Sequence, residues 1–139
     1  DILRINNHFI IGISGRTNEI GAKNLSNIIE KNGGTSEIAI TPENTLHFKS
    51  ECSLLDEETI LATDNLIKSD FFNKKYRIIK VPEGEETGAN CLRINEHLLI
   101  PKGYDRLLDL VSKDYKVRVL DVTEMEKVDA GLSCLSLRW

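Results

Sequence analysis

The chain has 139 residues, of which 40% are hydrophobic and 29% charged, and its formal net charge at pH 7 is −4. This composition is typical of one soluble globular domain that buries a substantial core. Lys and Arg are scattered and the balance is acidic, so the sequence offers no basic surface for nucleic acid. No apolar run is long enough to cross a bilayer and no signal-peptide pattern is present, so we expect no membrane partner.

The first predicted unit is a hairpin, a helix and a strand. Leu3 to Ile11 reads as two strands around a polar two-residue turn. A helix is predicted over 18–32, with Thr17 or Asn18 as its N-cap and Gly33-Gly34 as its end. Its apolar face comprises Ala22, Leu25, Ile28 and Ile29. A strand over 36–40 follows.

The second unit repeats this order more weakly. Strands are predicted over 46–55 and 59–63 around the turn 56–58, followed by a helix over 65–72 and a strand over 76–81. The acidic loop 82–89 is a candidate mobile flap, and we interpret Glu83, Glu85 and Glu86 as solvated.

The third unit begins with the segment Leu92 to Ile100, which repeats Leu3 to Ile11 closely. A helix over 104–113 and a strand over 117–120 follow, and a last strand over 132–137 ends near Trp139, which we interpret as a packing residue. The order ββαβ thus occurs three times, and repetition favours α/β modules around an axis. We set the modules at approximately 1–45, 46–89 and 90–139, with an ordinary α+β sandwich as the alternative.

The cysteines are the first candidates for chemistry. Cys52, Cys91 and Cys134 lie about forty residues apart, a spacing that fits no zinc site and suits a reducing cytoplasm. Cys52 and Cys91 are predicted to be structural thiols. Cys134 could be another core thiol, or a nucleophile if folding brings a base such as His47 beside it.

Four segments decide between these readings, because in order and spacing they resemble the dimethylarginine dimethylaminohydrolases over essentially the whole chain. The segments are 12–18, 46–50, 89–91 and 126–134. The resemblance implies the pentein fold, an α/β propeller of five ββαβ modules around a pseudo-fivefold axis, of which about three lie in this chain.

The resemblance also assigns roles to matching residues. Cys134 would attack the guanidinium carbon, and His47 would protonate the departing amine and then activate water. The substrate, a small guanidino amino acid, would be bound by four further residues: Arg16 at the α-carboxylate, Asp129 at the guanidinium, the Val128 carbonyl at the α-ammonium and Ser50 near His47. This chemistry requires no metal and no cofactor.

We therefore expect a cytoplasmic hydrolase that converts N-methylated arginine to citrulline and a methylamine through a covalent thiouronium. Related arginine and agmatine deiminases carry Asp two residues after the histidine, where this chain has Lys49, so a deiminase is the less favoured enzyme. The alternative from another class is a catalytically silent pentein binding module.

One expectation concerns Asp1. The family's histidine-orienting acid belongs to an acid-Gly-Gly-Asp segment whose last residue matches Asp1, so that acid would precede this chain. We therefore expect the 139 residues to be inactive by themselves. A homodimer in which two copies close the ring is a less favoured alternative.

Overall fold

The computed structural model describes residues 1–43, 45–72 and 75–136 of the chain. Within these residues, nine strands form three separate three-stranded sheets. The first sheet contains β1 (Ile2–Ile5), β2 (His8–Ile13) and β3 (Thr35–Ile40), with helix α1 (Glu19–Lys31) between β2 and β3.

The second and third sheets repeat this arrangement. The second contains β4 (Cys52–Leu54), β5 (Thr59–Ala62) and β6 (Arg77–Lys80), with helix α2 (Asp64–Lys68) before β6. The third contains β7 (Leu92–Ile94), β8 (His97–Pro101) and β9 (Lys116–Leu120), with α3 (Asp105–Val111) before β9 and α4 (Thr123–Glu126) after it.

In every sheet the middle strand pairs antiparallel with the first strand and parallel with the third. A parallel neighbour requires a crossover, which the helix of each unit supplies. The hairpin turns of the first and third units place Asn6 and Asn95 at positive φ, 55° and 53°, as expected of Asn in a tight turn. The predicted order ββαβ, three times, is confirmed.

Helix α1 starts and ends where the sequence predicts. The Asn18 side chain accepts a hydrogen bond from the backbone N–H of Gly21, and Gly33 follows the helix at φ +80°. The predicted apolar face is wrong at one position, since Ile28 is 57% exposed while Ala22 is fully buried. Ser26 lies toward β3 instead, and its hydroxyl is 2.7 Å from that of Ser36.

The first part of one predicted strand and most of another are 3-10 helices instead. In the second unit Phe48–Ser50 is a 3-10 turn and the strand begins only at Cys52. At the C-terminal end Leu132–Leu135 is a 3-10 turn, and Leu137 and Trp139 lie outside the described residues. The apolar residues in both segments are typical of strands. In the structure, however, the Asp1 carboxylate accepts from the backbone N–H of Phe48 and the Asn90 side chain accepts from that of Ser133, and these contacts hold the two segments as turns.

The predicted flap is held against α3. Glu86–Ala89 is a short 3-10 helix in which Gly88 and Ala89 are buried. The carboxylate of Glu85 accepts hydrogen bonds from the backbone N–H groups of Arg106 and Leu107 and is only 11% exposed. The interpretation of Glu85 as a solvated residue is therefore wrong, because it binds the otherwise unpaired N–H groups at the start of α3.

The hydrophobic cores lie between neighbouring units. One buried cluster joins Leu3, Ile10 and Ala39 of the first unit to Phe48 and Ile60 of the second. Another joins the second unit to the third, with members that include Leu55, Leu61, Val81, Leu98, Ile100 and Leu107. Each unit thus buries its apolar side against the next one, as repeated modules require.

No helix in the part of the chain that the structure describes combines the length and the hydropathy needed to cross a membrane.

We predict that Phe48→Ala lowers the free energy of unfolding by about 3–5 kcal/mol, because it empties a fully buried site in the first cluster. Its ring contacts those of Phe71 and Phe72, at centroid distances of 5.9 and 6.1 Å. Urea unfolding of the full-length protein that contains this sequence measures the loss. Phe9→Ala, at a half-buried ring, is the control. An equal loss in both variants would contradict this account of the core.

Candidate active site

His47 immediately precedes the 3-10 turn Phe48–Ser50, which we call the histidine turn. The ring nitrogen Nδ1 lies 3.3 Å from Oδ2 of Asp1, and Oδ1 of Asp1 accepts a 2.7 Å hydrogen bond from the backbone N–H of Phe48. The His47 side chain is 37% exposed. Burial lowers its pKa below the ordinary value, and the nearby positive charge of Arg16 acts in the same direction.

Gly12 on β2 allows the histidine turn to pack closely against the first sheet. A Cβ atom at Gly12 would lie 2.4 Å from Cβ of Phe48, which is shorter than any normal contact. The predicted segment 12–18 therefore begins with a glycine because the backbone of β2 must lie directly against Phe48.

Arg16 lies in the loop between β2 and α1, and we call Ser14–Thr17 the arginine arm. Its shape is fixed by a 3.0 Å backbone bond from Ser14 N–H to the Thr17 carbonyl and by a 3.1 Å bond from Arg16 N–H to Ser14 Oγ. Both hydroxyls of the arm donate to Oδ2 of Asp1, at 2.9 Å from Ser14 and 2.7 Å from Thr17. The guanidinium of Arg16 is thereby presented at the surface, within electrostatic range of His47.

Cys134 lies on the 3-10 turn Leu132–Leu135, which we call the cysteine turn, and it is exposed. The turn is fixed by two hydrogen bonds, from Cys134 N–H to the Gly131 carbonyl at 3.0 Å and from Ser133 N–H to Asn90 Oδ1 at 2.9 Å. The backbone that carries Cys134 is therefore held in place while its side chain is exposed.

The other two cysteines are structural, as predicted. Cys52 and Cys91 are 0% and 2% exposed, and burial raises the pKa of each thiol to about 12. Cys134 is the single exposed thiol of the three. Since the thiolate is the nucleophile, two buried thiols with such high pKa values cannot serve as one at neutral pH.

The remaining predicted site residues are in two places. Ser50 lies on the histidine turn, where its N–H donates to the His47 carbonyl at 3.0 Å. Val128 and Asp129 lie on the turn after α4 that leads to the cysteine turn; Val128 is 72% exposed and Asp129 has φ +57°. Among residues 1–43, 45–72 and 75–136, no hydrogen bond or ion pair joins Asp129 or Cys134 to His47 or Arg16.

A cavity of about 1060 Å³ opens between the sheets. None of the six predicted site residues lines it, but Lys49 and Ser133, their chain neighbours, do. Arg4 and Arg93, which occupy equivalent positions of the repeat, lie in the same lining with Asp56. Lys49 is half-buried on the histidine turn.

Sequence reasoning missed the contributions of two residues. Asp1 was noted only as the end of a motif, yet its carboxylate contacts both the histidine turn and the arginine arm. Asn90 lies in the matching segment 89–91 but had no role, and here it holds the cysteine turn. Their presence in matching segments was the only available signal, because both act on residues more than a dozen positions away.

No protein-family model matches the chain. Among curated proteins, a dimethylarginine dimethylaminohydrolase of Pseudomonas aeruginosa is 36% identical over 140 residues, which cover 100% of this chain and 54% of that protein. The chain thus spans about half the length of the curated relatives it matches, and the match covers the C-terminal part.

Solved structures give the same result. The Pseudomonas aeruginosa enzyme, with a cysteine replaced by serine and citrulline bound, has a TM-score of 0.93 at 35% identity, covering 100% of this chain and 54% of that one. A dimethylarginine dimethylaminohydrolase with a histidine replaced by glycine, as an adduct with S-methyl-L-thiocitrulline, has a TM-score of 0.92 with the same identity and coverage. The predicted pentein fold and the predicted resemblance are confirmed.

We predict that iodoacetamide at neutral pH alkylates Cys134 at least about 100-fold faster than Cys52 or Cys91, because a pKa near 12 and burial leave almost no reactive thiolate. Peptide mass spectrometry of the native full-length protein measures the three rates. Cys134→Ser serves as the control and should lose only the fast label. Comparable rates at all three positions would contradict this assignment.

We also predict that Gly131→Ala displaces the cysteine turn, because its Cβ would lie 2.2 Å from Nδ2 of Asn90. Such overpacking costs about 1–3 kcal/mol in a well-packed region, and the alkylation rate of Cys134 should change with it. Gly21→Ala is the matched control, since its nearest neighbour would be 3.4 Å away on an exposed helix. Equal thermal unfolding midpoints for the two variants would refute the steric argument.

Proposed function

We propose that this chain is the C-terminal part of the catalytic domain of a dimethylarginine dimethylaminohydrolase. The enzyme would cleave N-methylated arginine to citrulline and a methylamine. The observation that carries the proposal is that one carboxylate, that of Asp1, contacts both His47 and the arm that bears Arg16. Cys134 is the exposed thiol available as the nucleophile. Within that domain we assign the modules approximately to residues 1–45, 46–89 and 90–139.

The solved relatives support the two reacting residues. One carries a replaced cysteine and the other a replaced histidine, and these two positions are separated in sequence by the same number of residues as His47 and Cys134. Replacing a reacting residue is the usual way to trap a bound ligand, and citrulline is the product that the proposed reaction releases.

The proposed reaction has two halves. In the first, the Cys134 thiolate attacks the guanidinium carbon, and His47 gives its proton to the methylamine as the C–N bond breaks, which leaves a thiouronium on sulfur. In the second, neutral His47 takes a proton from water, the hydroxide adds to the same carbon, and the C–S bond breaks to release citrulline and restore the thiolate. One imidazole serves as acid and then as base, and its lowered pKa favours loss of the proton.

Substrate binding would use the exposed groups around these turns. The Arg16 guanidinium would bind the α-carboxylate through paired hydrogen bonds, and the exposed Val128 carbonyl would accept from the α-ammonium. Asp129 would neutralise the guanidinium, and Ser50 would line the pocket beside His47. A cation bound beside Cys134 would also stabilise the thiolate.

Two alternatives remain as outcomes of the test. A deiminase acting on unsubstituted arginine is disfavoured by Lys49, which replaces the Asp of those enzymes. A silent binding module is disfavoured because both proposed reacting side chains are present, with His47 partly exposed and Cys134 exposed. We further propose a cytoplasmic location, because all three cysteines are free thiols. We also propose that the protein has no nucleic-acid partner, because its net charge is negative. Sedimentation of the full-length protein measures its oligomeric state, with a homodimer as the less favoured outcome.

We predict that the full-length protein releases citrulline from monomethylarginine and dimethylarginine but not from arginine or agmatine. Colorimetric citrulline assays run in parallel on the four compounds measure this. Cys134→Ala should abolish release, whereas Cys52→Ala, which removes a buried thiol, should keep it. Turnover of arginine alone would assign the protein to the deiminases. A folded protein that turns over none of the four compounds would leave the binding module.

A further inference from the structure

We propose that Asp1 is a positioning residue that holds the acid/base His47 and the substrate-binding arginine arm in one fixed arrangement. The inference rests on the proposed function and deepens it. It assigns to Asp1 a positioning role that the resemblance gave to no residue of this chain.

The first step is the burial of the Asp1 carboxylate. Its side chain is only 7% exposed, and a buried carboxylate is costly unless hydrogen-bond donors replace the lost water. Asp1 has four such contacts: Phe48 N–H at 2.7 Å, Thr17 Oγ1 at 2.7 Å, Ser14 Oγ at 2.9 Å and His47 Nδ1 at 3.3 Å. All four come from the two segments that carry His47 and Arg16.

The second step concerns the proton on the His47 ring. A carboxylate can only accept, so a contact with Nδ1 favours the tautomer that carries its hydrogen there. Nε2 of the neutral ring is then free to take a proton from water, and the protonated ring donates from Nε2 to the leaving amine. Asp1 would thus set which nitrogen faces the reaction, in the same way that a carboxylate orients the histidine of a serine protease.

The third step is the link to substrate binding. Oδ2 of Asp1 accepts from both hydroxyls of the arginine arm and lies beside His47, so one oxygen atom touches both functional segments. The backbone carbonyl of Asp1 adds a 2.7 Å bond to Gly12 N–H, which fixes the start of the first hairpin. Displacement of the arm would move Arg16 relative to His47, and therefore the substrate relative to the proton donor.

The first test is Asp1→Asn in the full-length protein. The amide oxygen can still accept from Phe48, but the amide nitrogen donates where Oδ2 accepted, toward Ser14, Thr17 and Nδ1 of His47. We expect His47 to shift toward the Nε2–H tautomer, read from ¹⁵N chemical shifts and assigned with His47→Gln. We also expect kcat on monomethylarginine to fall by about 100-fold or more. An unchanged tautomer with unchanged kcat would overturn the proposal.

The second test uses Thr17, where two variants differ only in the hydroxyl that reaches Asp1. Thr17→Val removes the donor at constant shape, and Thr17→Ser retains it. We expect Thr17→Val to raise KM about ten-fold with a smaller change in kcat, as loss of a binding contact does, and Thr17→Ser to stay close to wild type. Equal KM values in the two variants would overturn the coupling of the arm, even if Asp1→Asn failed to fold.

The two hypotheses fail in different ways. If the wild-type protein turns over none of the four guanidino compounds, the proposed function fails, and the His47 tautomer of wild type and Asp1→Asn still tests the Asp1 contact without substrate. If the wild-type protein is active and Asp1→Asn matches it in tautomer and in kcat, the proposed function stands and the role of Asp1 is refuted.

Discussion

A carboxylate removed from water must be surrounded by donors, and the donors that surround Asp1 are the two segments that carry the candidate chemistry. One side of the group fixes the backbone of Phe48, and the other binds the hydroxyls of Ser14 and Thr17. Asp1, which directly precedes the first strand, therefore sets the positions of a histidine 46 residues away and of the arginine arm after β2. Asp1 adds polar contacts to a junction that the close packing of Phe48 on Gly12 and the bond from Gly15 N–H to the Thr45 carbonyl also hold together.

The packing of the modules also fixes the positions of the candidate site residues. Phe48 follows His47 directly and is fully buried between the first and second units, so the hydrophobic core anchors the turn on which the imidazole stands. Asn90 performs the corresponding task at the third unit, where its side chain holds the backbone of Ser133 beside Cys134. The side chains of these candidate residues are thus exposed while their backbones are held by neighbouring residues, an arrangement that suits the proposed chemistry.

Much of the fold could be predicted because its signals are local. The repeated hairpins, the caps of α1 and the order ββαβ follow from turn residues, capping residues and apolar spacing within short windows. The errors fall where a distant partner overrides the local pattern. The segments around Phe48 and Leu132 resemble strands, but Asp1 and Asn90 hold them as turns, and Glu85 is drawn out of solvent by the start of α3.

The sequence alone determined the module order, the inert character of Cys52 and Cys91, and a set of candidate residues drawn from four matching segments. It could not determine how these residues meet. Only the tertiary structure decided three features of the site. Cys134 is exposed, His47 and the arginine arm share one carboxylate, and Lys49 lines the cavity between the sheets. The physical reason is that each depends on contacts between different modules, and a hydrogen bond across that distance leaves no periodicity in the sequence.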